Sequence, residues 1–85
     1  MITDAVKMET AKFTKDFANQ FQDSDIPNIH FTTEFRKLPT WDSLTGMAVL
    51  AMITHEYHVD IPIEEFRNLK TVNEVFIYVC NKLTS

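Results

Sequence analysis

The sequence predicts an all-α domain, a bundle of three main helices plus one short helix, with a long first loop. The chain of 85 residues contains one glycine and three prolines, too few turn-forming residues for a many-stranded β fold. Apolar residues recur at helical spacing in three separate stretches. Hydrophobic residues make up 45% of the chain, so we expect residues 1–85 to form one domain around one core.

The first helix is predicted over Thr3 to Phe21. Its apolar stripe has helical spacing and consists of Val6, Thr10, Phe13, Phe17 and Phe21. The connection from Gln22 to Thr40 is long for a small domain, and such loops are uncommon unless they are functional or packed by their own side chains. We expect its apolar residues to pack it, with a short helical turn around Thr33 to Lys37.

The second helix is predicted to begin at the segment Trp41-Asp42-Ser43-Leu44, because Pro39 disfavours an earlier start. Asp42 is a good N-cap, since its carboxylate can accept an amide of the first turn. The hydroxyl of Ser43 would then point outward at the positive end of the helix dipole, where a phosphate diester is favoured. The helix is predicted to reach Tyr57, with a core face made of Leu44, Met47, Val49, Leu50, Ile53 and Tyr57.

Gly46 lies one turn inside this helix, where glycine costs about 1 kcal/mol relative to alanine. Two readings stay open: another group approaches the backbone closely at this position, or the position simply tolerates a weak helix former.

The rest of the chain predicts a short helix and a final long one. Pro62 ends the preceding segment, and Ile63 to Leu69 is expected to form a short helix or turn. Thr71 and Glu74 have the spacing of a capping box that opens the last helix, to about Leu83. Its buried side is predicted to consist of Val72, Val75, Phe76, Val79 and Leu83.

Charge and composition limit the classes of function. The formal net charge of -4 argues against nucleic-acid binding, which needs a basic surface. A single cysteine excludes an intramolecular disulfide framework and favours a reducing compartment. No apolar run is long enough to span a membrane, and no signal peptide is evident. We therefore expect a cytoplasmic monomer.

Catalytic and metal sites are not indicated. The G-x-S-x-G elbow of serine hydrolases is absent, and His55 would lie about 18 Å along the same helix from Ser43. Only His30 could reach Ser43, and no further partner is evident. His55 and His58 lack a third metal ligand with suitable spacing. Cys80 is expected to be a partly buried apolar residue. The chain is therefore predicted not to be an enzyme.

The ordered set of motifs resembles the acyl carrier protein family, that is, phosphopantetheine-binding carrier domains. The order is Asp-Ser-Leu, a helix, an Ile-Pro turn, a short helix and a Thr-Val opening of the last helix. The resemblance spans nearly the whole chain and is closest after Trp41. The matching residues are Phe35, Leu38, Trp41-Asp42-Ser43-Leu44, Glu56-Tyr57, the segment from Val59 to Phe66, and Leu69-Lys70-Thr71-Val72.

The resemblance implies a carrier whose cofactor-binding residues are Ser43, Asp42 and Leu44. Ser43 would receive 4'-phosphopantetheine from a phosphopantetheinyl transferase that uses coenzyme A, and the arm would hold an acyl group as a thioester. Asp42 would position the serine and help to bind the transferase's metal site. Further partners would be an acyl-activating ligase or acyltransferase and ketosynthase-type or other acyl-transfer enzymes. The side chains implied to shelter the acyl chain are Phe31, Leu50, Ile53, Phe66 and Ile77.

The second helix departs from the family pattern. Fatty-acid carriers generally have several carboxylates along it, whereas this chain has Thr45, Gly46, Ala48, Ala51 and Thr54. We therefore expect a specialised carrier in a secondary-metabolite or unusual-lipid pathway, with docking that is more apolar and less sensitive to salt. An aminoacyl or peptidyl carrier, and an unmodified carrier-like interaction module, remain alternatives.

Overall fold

The computed structural model describes residues 2–84, with side chains for residues 10–83. The α-helices of this part are α1 (Ile2–Ala18), α2 (Ser43–Tyr57), α3 (Ile63–Phe66) and α4 (Val72–Thr84). Short 3₁₀ helices at Ile26–Asn28 and Phe35–Lys37 lie in the connection between α1 and α2. No β-strand forms within residues 2–84. The predicted bundle of three main helices and one short helix, with a long first loop, is confirmed.

The helix ends differ from the predicted ones by a few residues. The first helix ends at Ala18 rather than Phe21, because the amides of Gln20 and Phe21 bond to carbonyls three residues back and tighten the chain into a turn. The helix α3 is likewise shorter than predicted and ends at Phe66. The helix α2 ends at Tyr57, as predicted, and is capped by His58, whose backbone is left-handed with a φ of 58° and whose amide bonds to the carbonyl of Thr54.

A continuous run of aromatic rings forms much of the core. Phe13, Phe17 and Phe35 are fully buried. Phe17 and Phe35 meet edge to face with their centroids 5.0 Å apart, and Phe35 continues the run to Trp41 at 5.1 Å. Such contacts favour edge-to-face or offset arrangements. The run therefore includes Trp41, which lies against Gly46 in the first turn of α2.

The first loop is attached to the start of α4. The carbonyl of Thr33 accepts the amide of Val72 at 3.2 Å, and the carbonyl of Phe31 accepts that of Asn73 at 2.8 Å. These bonds satisfy amides that a helix start leaves without an internal partner. Thr71 caps the helix through its hydroxyl, as predicted, but the carboxylate of Glu74 accepts the amide of Lys70. The capping box is therefore formed with its second bond displaced by one residue.

The predicted core face of α2 is wrong at two positions. Leu44 and Met47 are 76% and 66% exposed, whereas Val49 and Ile53 are fully buried. Because α2 is apolar around most of its circumference, only one side can pack against α1 and the rest of the bundle. At the end of α4, Leu83 is also exposed rather than buried. Within residues 2–84, no helix combines the length and the hydropathy that crossing a membrane requires.

Candidate functional site

Asp42 fixes the start of α2. Its backbone is extended, and its Oδ1 atom accepts the amide of Thr45 at 2.8 Å, which confirms the predicted N-cap. The hydrogen bond from the Thr45 amide lowers the pKa of the Asp42 carboxyl, with smaller contributions from the Thr45 side chain and the Leu44 amide. The carboxylate is therefore ionised at neutral pH, next to the serine that follows it.

Ser43 is the first residue of α2 and its side chain is exposed. No protein group within residues 10–83 accepts or donates a hydrogen bond at its hydroxyl, so the oxygen is open to a reagent from solvent. The helix dipole favours a negative group here, but the carboxylate of Asp42 already occupies the Thr45 amide. An anion attached to Ser43 would consequently share the positive end of α2 with Asp42.

Asp25 secures the approach to α2, and the sequence analysis missed this role. The side chain is 4% exposed, and its Oδ2 atom accepts hydrogen bonds from the amide of Thr40, at 2.9 Å, and from the Thr40 hydroxyl. Because Thr40 precedes Trp41, the buried carboxylate holds the chain in place just before α2. No local signal points to this contact, since the partners lie fifteen residues apart.

Gly46 lets Trp41 pack closely against α2. A Cβ atom at this position would lie 3.1 Å from Cη2 of Trp41, closer than ordinary van der Waals contact. The glycine therefore permits a close approach, which decides between the two readings of the sequence. With the indole ring held here, the first turn of α2 rests on the aromatic core.

An open cleft of about 450 Å³ lies beside Ser43. We call it the Ser43 cleft; its lining is mostly apolar or aromatic and consists of Arg36, Trp41, Asp42, Ser43, Gly46, Met47, Leu50, Ile63, Phe66 and Arg67. It brings together Asp42 and Ser43 with two of the predicted sheltering residues, Leu50 and Phe66. Such concave, apolar sites with a few polar groups are typical of ligand-binding clefts.

The remaining predicted sheltering residues do not line the cleft. Ile53 is fully buried in the core, and Phe31 packs edge to face on Phe76 at 5.5 Å. Ile77 is 50% exposed on α4, so its predicted place in a sheltered interior is wrong. Leu44 is exposed next to Ser43 but is not part of the cleft lining.

Arg36 is a cleft residue that sequence reasoning did not single out. Its Nε atom donates to the carbonyl of Leu69 at 3.2 Å, and its Nη2 atom donates to the carbonyl of Phe66. The guanidinium also lies 4.9 Å from the ring centroid of Phe66 and 5.3 Å from that of Trp41. Burial lowers the pKa of Arg36 from its ordinary value, but a guanidinium stays protonated at neutral pH.

The histidines lie outside the Ser43 cleft. His30, His55 and His58 are all exposed, and none of them lines it. Among the described residues, no three histidine, cysteine or carboxylate side chains lie together in a group that could hold a metal ion.

The protein is a small helical bundle with an exposed serine at a capped helix start, beside an apolar cleft. The chain matches the family model described as phosphopantetheine attachment site over residues 18–79, which is 62 of its 85 residues. The chain therefore belongs to this family, whose domains carry covalently bound 4'-phosphopantetheine and serve as carriers. No curated protein and no solved structure matched the chain.

The described residues fit such a prosthetic group. Attachment through a phosphodiester needs a reachable hydroxyl, and the Ser43 hydroxyl is exposed. Two arginines, Arg36 and Arg67, line the adjoining cleft, so a negatively charged group attached at Ser43 is not repelled there. The apolar walls of the same cleft suit the acyl part of a cargo.

Proposed function

We propose that Ser43 is the residue to which 4'-phosphopantetheine is attached, and that the chain is an acyl carrier protein. The observation that carries this proposal is the exposed hydroxyl of Ser43 at the edge of an apolar cleft. When bound, the arm supplies a terminal thiol that holds an acyl group as a thioester. A flexible tether raises the effective concentration of such a group at each partner enzyme, so the domain needs no catalytic residue of its own.

The residues around Ser43 would present it to a transferase. Asp42 caps α2 and keeps its carboxylate ionised beside the hydroxyl, where it can help to bind the transferase's metal. Asp25 holds Thr40, and Gly46 admits Trp41, so the backbone on both sides of Ser43 is fixed. Leu44 is exposed beside the serine and is proposed as part of the segment that binds the transferase and the arm.

The second helix favours a specialised carrier. Between Ser43 and His55, α2 has no carboxylate, and its outer face exposes the apolar side chains of Leu44 and Met47. A partner that reads this face would use apolar contacts more than charge. We propose service in an unusual-lipid or secondary-metabolite pathway of the fatty-acid or polyketide kind, as a cytoplasmic monomer. Its partners would be an acyl-activating ligase or acyltransferase and ketosynthase-type enzymes.

Attachment is tested by intact mass after incubation with coenzyme A and a broad-specificity phosphopantetheinyl transferase. We expect the wild type to gain one phosphopantetheinyl group and Ser43→Ala to gain none. Ser24→Ala is the matched control, because Ser24 is exposed and lies in the region that matches the family. A gain in Ser43→Ala, or none in the wild type while a known carrier is modified in the same reaction, would contradict the proposal.

The second candidate function is an unmodified interaction module. The exposed side chains of Leu44, Met47 and Ile63 favour it, because neighbouring exposed apolar residues often mark a protein-binding surface. This module would bind its partner equally well as wild type and as Ser43→Ala. An acyl carrier would lose function in the same variant. An aminoacyl or peptidyl carrier would be distinguished by the mass of the cargo on protein recovered from cells.

A further inference from the structure

The cleft beside Ser43 combines apolar walls with two arginines, and neither of them forms an ion pair with a carboxylate of residues 10–83. We propose that it binds an acyl cargo that itself carries a carboxylate, such as the half-thioester of a dicarboxylic acid, and that Arg36 and Arg67 recognise this carboxylate. The inference rests on the proposed attachment at Ser43. It goes further because it names the chemical class of the cargo.

The apolar walls of the Ser43 cleft favour a cargo with a methylene chain. Met47, Leu50 and Ile63 face the Ser43 cleft together with the ring of Phe66. Met47 and Ile63 are 66% and 56% exposed, so burying them against a methylene chain would remove apolar surface from water. A volume of about 450 Å³ accommodates a chain of several carbons.

Arg36 supplies a fixed positive charge in this apolar site. Two backbone carbonyls and the neighbouring aromatic rings hold its guanidinium, so little side-chain entropy remains to be lost when an anion binds. Its Nη1 atom has no acceptor among residues 10–83, and no carboxylate of the described chain forms an ion pair with it. A partly buried guanidinium of this kind gains most from an anionic partner, which a cargo can supply.

Arg67 provides a second cation at the exposed side of the cleft. No carboxylate forms an ion pair with Arg67 within the part of the chain that the structure describes, whereas nearby Lys37 is paired with Glu34 at 3.3 Å. The one acid that lines the cleft is Asp42, and its Oδ1 atom accepts the Thr45 amide. The lining therefore has two positive side chains and one negative one, in a protein whose net charge is negative.

Two anions could reach these arginines: the carboxylate of a cargo and the phosphodiester of the arm itself. The experiment compares the unmodified isotope-labelled protein with three loaded forms. The transferase attaches phosphopantetheine, pentanoyl-phosphopantetheine or glutaryl-phosphopantetheine from the corresponding coenzyme A and releases adenosine 3',5'-bisphosphate. Intact mass first confirms each load. NMR then follows the Nε–H signal of Arg36 and the backbone amides of the cleft residues.

We expect the glutaryl form to shift the Arg36 signal and the cleft amides relative to the other two loaded forms. Arg67→Gln should reduce these shifts by at least half, because one of the two guanidinium groups that bind the carboxylate is lost. The variant should still fold, since Arg67 is exposed. Lys15→Gln is the control for a lost positive charge, since Lys15 is exposed on α1 and does not line the cleft. It should leave the shifts unchanged.

The other outcomes separate the two proposals. Equal shifts in the glutaryl and pentanoyl forms would overturn the inference on the cargo and leave attachment at Ser43 intact. If the form without cargo already shows the full shifts relative to the unmodified protein, the arginines bind the phosphodiester of the arm. This result would also overturn the inference on the cargo. Absence of any load on the wild type would overturn the proposed function and this inference with it.

Discussion

Asp25 is a single buried carboxylate that holds the approach to the proposed attachment site. Its Oδ2 atom accepts two hydrogen bonds from Thr40, and the side chain is almost fully buried. Hydrogen bonds to a charged group contribute about 1.5–3 kcal/mol each, and the amide of Thr40 would lose its acceptor. We therefore expect Asp25→Ala to lower the free energy of unfolding in urea by about 3 kcal/mol or more.

The control for this variant is Asp23→Ala, in the same turn but exposed. It should change the free energy of unfolding by no more than about 0.5 kcal/mol, as is usual for surface substitutions. A double-mutant cycle with Thr40→Val isolates the hydroxyl contact from the amide contact. If Asp25→Ala and Asp23→Ala were equally stable, the structural role assigned to Asp25 would be wrong.

Residues with local partners were predictable from sequence, and residues with distant partners were not. Asp42 caps an amide three residues away, so its role follows from helix-start chemistry alone. Asp25 and Arg36 bond to groups fifteen to thirty-three residues away, and no local pattern specifies such pairs. The sequence thus predicted the position of Ser43 at the start of α2 but neither of the contacts that build its surroundings.

At the scale of the element, the close packing of α2 on the core involves one glycine, Gly46. The Cβ of any other residue at position 46 would meet Trp41, whose indole is itself packed on Phe35 and Phe66. We expect Gly46→Val to destabilise the domain by about 1–3 kcal/mol, the usual cost of an overpacked core. The fluorescence of Trp41, the single tryptophan, should shift to the red as the ring is displaced.

Ala51→Val is the matched control for the change at position 46. Ala51 is exposed on the same helix, so valine there costs only its lower helix propensity, at most about 0.7 kcal/mol. Its fluorescence should equal that of the wild type. An unshifted emission spectrum in Gly46→Val would mean that Trp41 does not need the space at this position.

The outer face of α2 shows why the sequence of an apolar helix does not predict which of its sides is buried. The apolar residues of α2 surround most of the helix, so the pattern alone could not choose which of them face the core. The choice depends on how the helix sits against α1 and on Trp41 beneath Gly46, which are tertiary contacts. Leu44 and Met47 were therefore placed in the core by sequence and are exposed in the structure.

This exposed face predicts how partners bind. We expect Leu44→Ala and Met47→Ala each to lower kcat/KM for modification by the transferase about 5-fold or more, since one exposed apolar anchor contributes about 1 kcal/mol or more to an interface. The free energy of unfolding should hardly change, because both side chains are mostly exposed. Ile77→Ala is the control, since Ile77 is 50% exposed on α4. Raising the salt concentration should change the rate little, and a steep fall would contradict apolar docking.

At the scale of the whole molecule, the aromatic run joins all the long helices and the first loop. Phe13 of α1 contacts Tyr57 of α2 at 5.4 Å and Phe76 of α4 at 5.3 Å, and Phe31 of the loop meets Phe76. The number, type and order of the helices were predictable, because periodicity and caps are local signals. The path of the loop was not, because its bonds to the first turn of α4 join segments about forty residues apart.

Tyr57 lies where α1 meets the end of α2, and we expect it to make the stability of the domain depend on alkaline pH. The hydroxyl of Tyr57 donates to Oδ2 of Asp16 at 3.2 Å, and Lys12 pairs with the same carboxylate at 2.6 Å. Burial, followed by the nearby carboxylates, raises the pKa of Tyr57 to about 12. The hydrogen bond that Lys12 donates to the Asp16 carboxylate likewise raises the pKa of Lys12.

Lys12 and Tyr57 hold their protons more strongly in the folded chain than in the unfolded one. Their contribution to the free energy of unfolding is therefore complete below pH 10 and is lost as the pH rises. We expect the free energy of unfolding to fall between pH 10 and about pH 12. In Tyr57→Phe the phenol no longer titrates, so the fall should be shallower, although the variant is less stable at neutral pH through the lost hydrogen bond to Asp16. Urea unfolding at several pH values, with ultraviolet titration of the phenols, checks both statements. Equal slopes in the wild type and Tyr57→Phe would show that Tyr57 titrates in the folded chain as it does in the unfolded one.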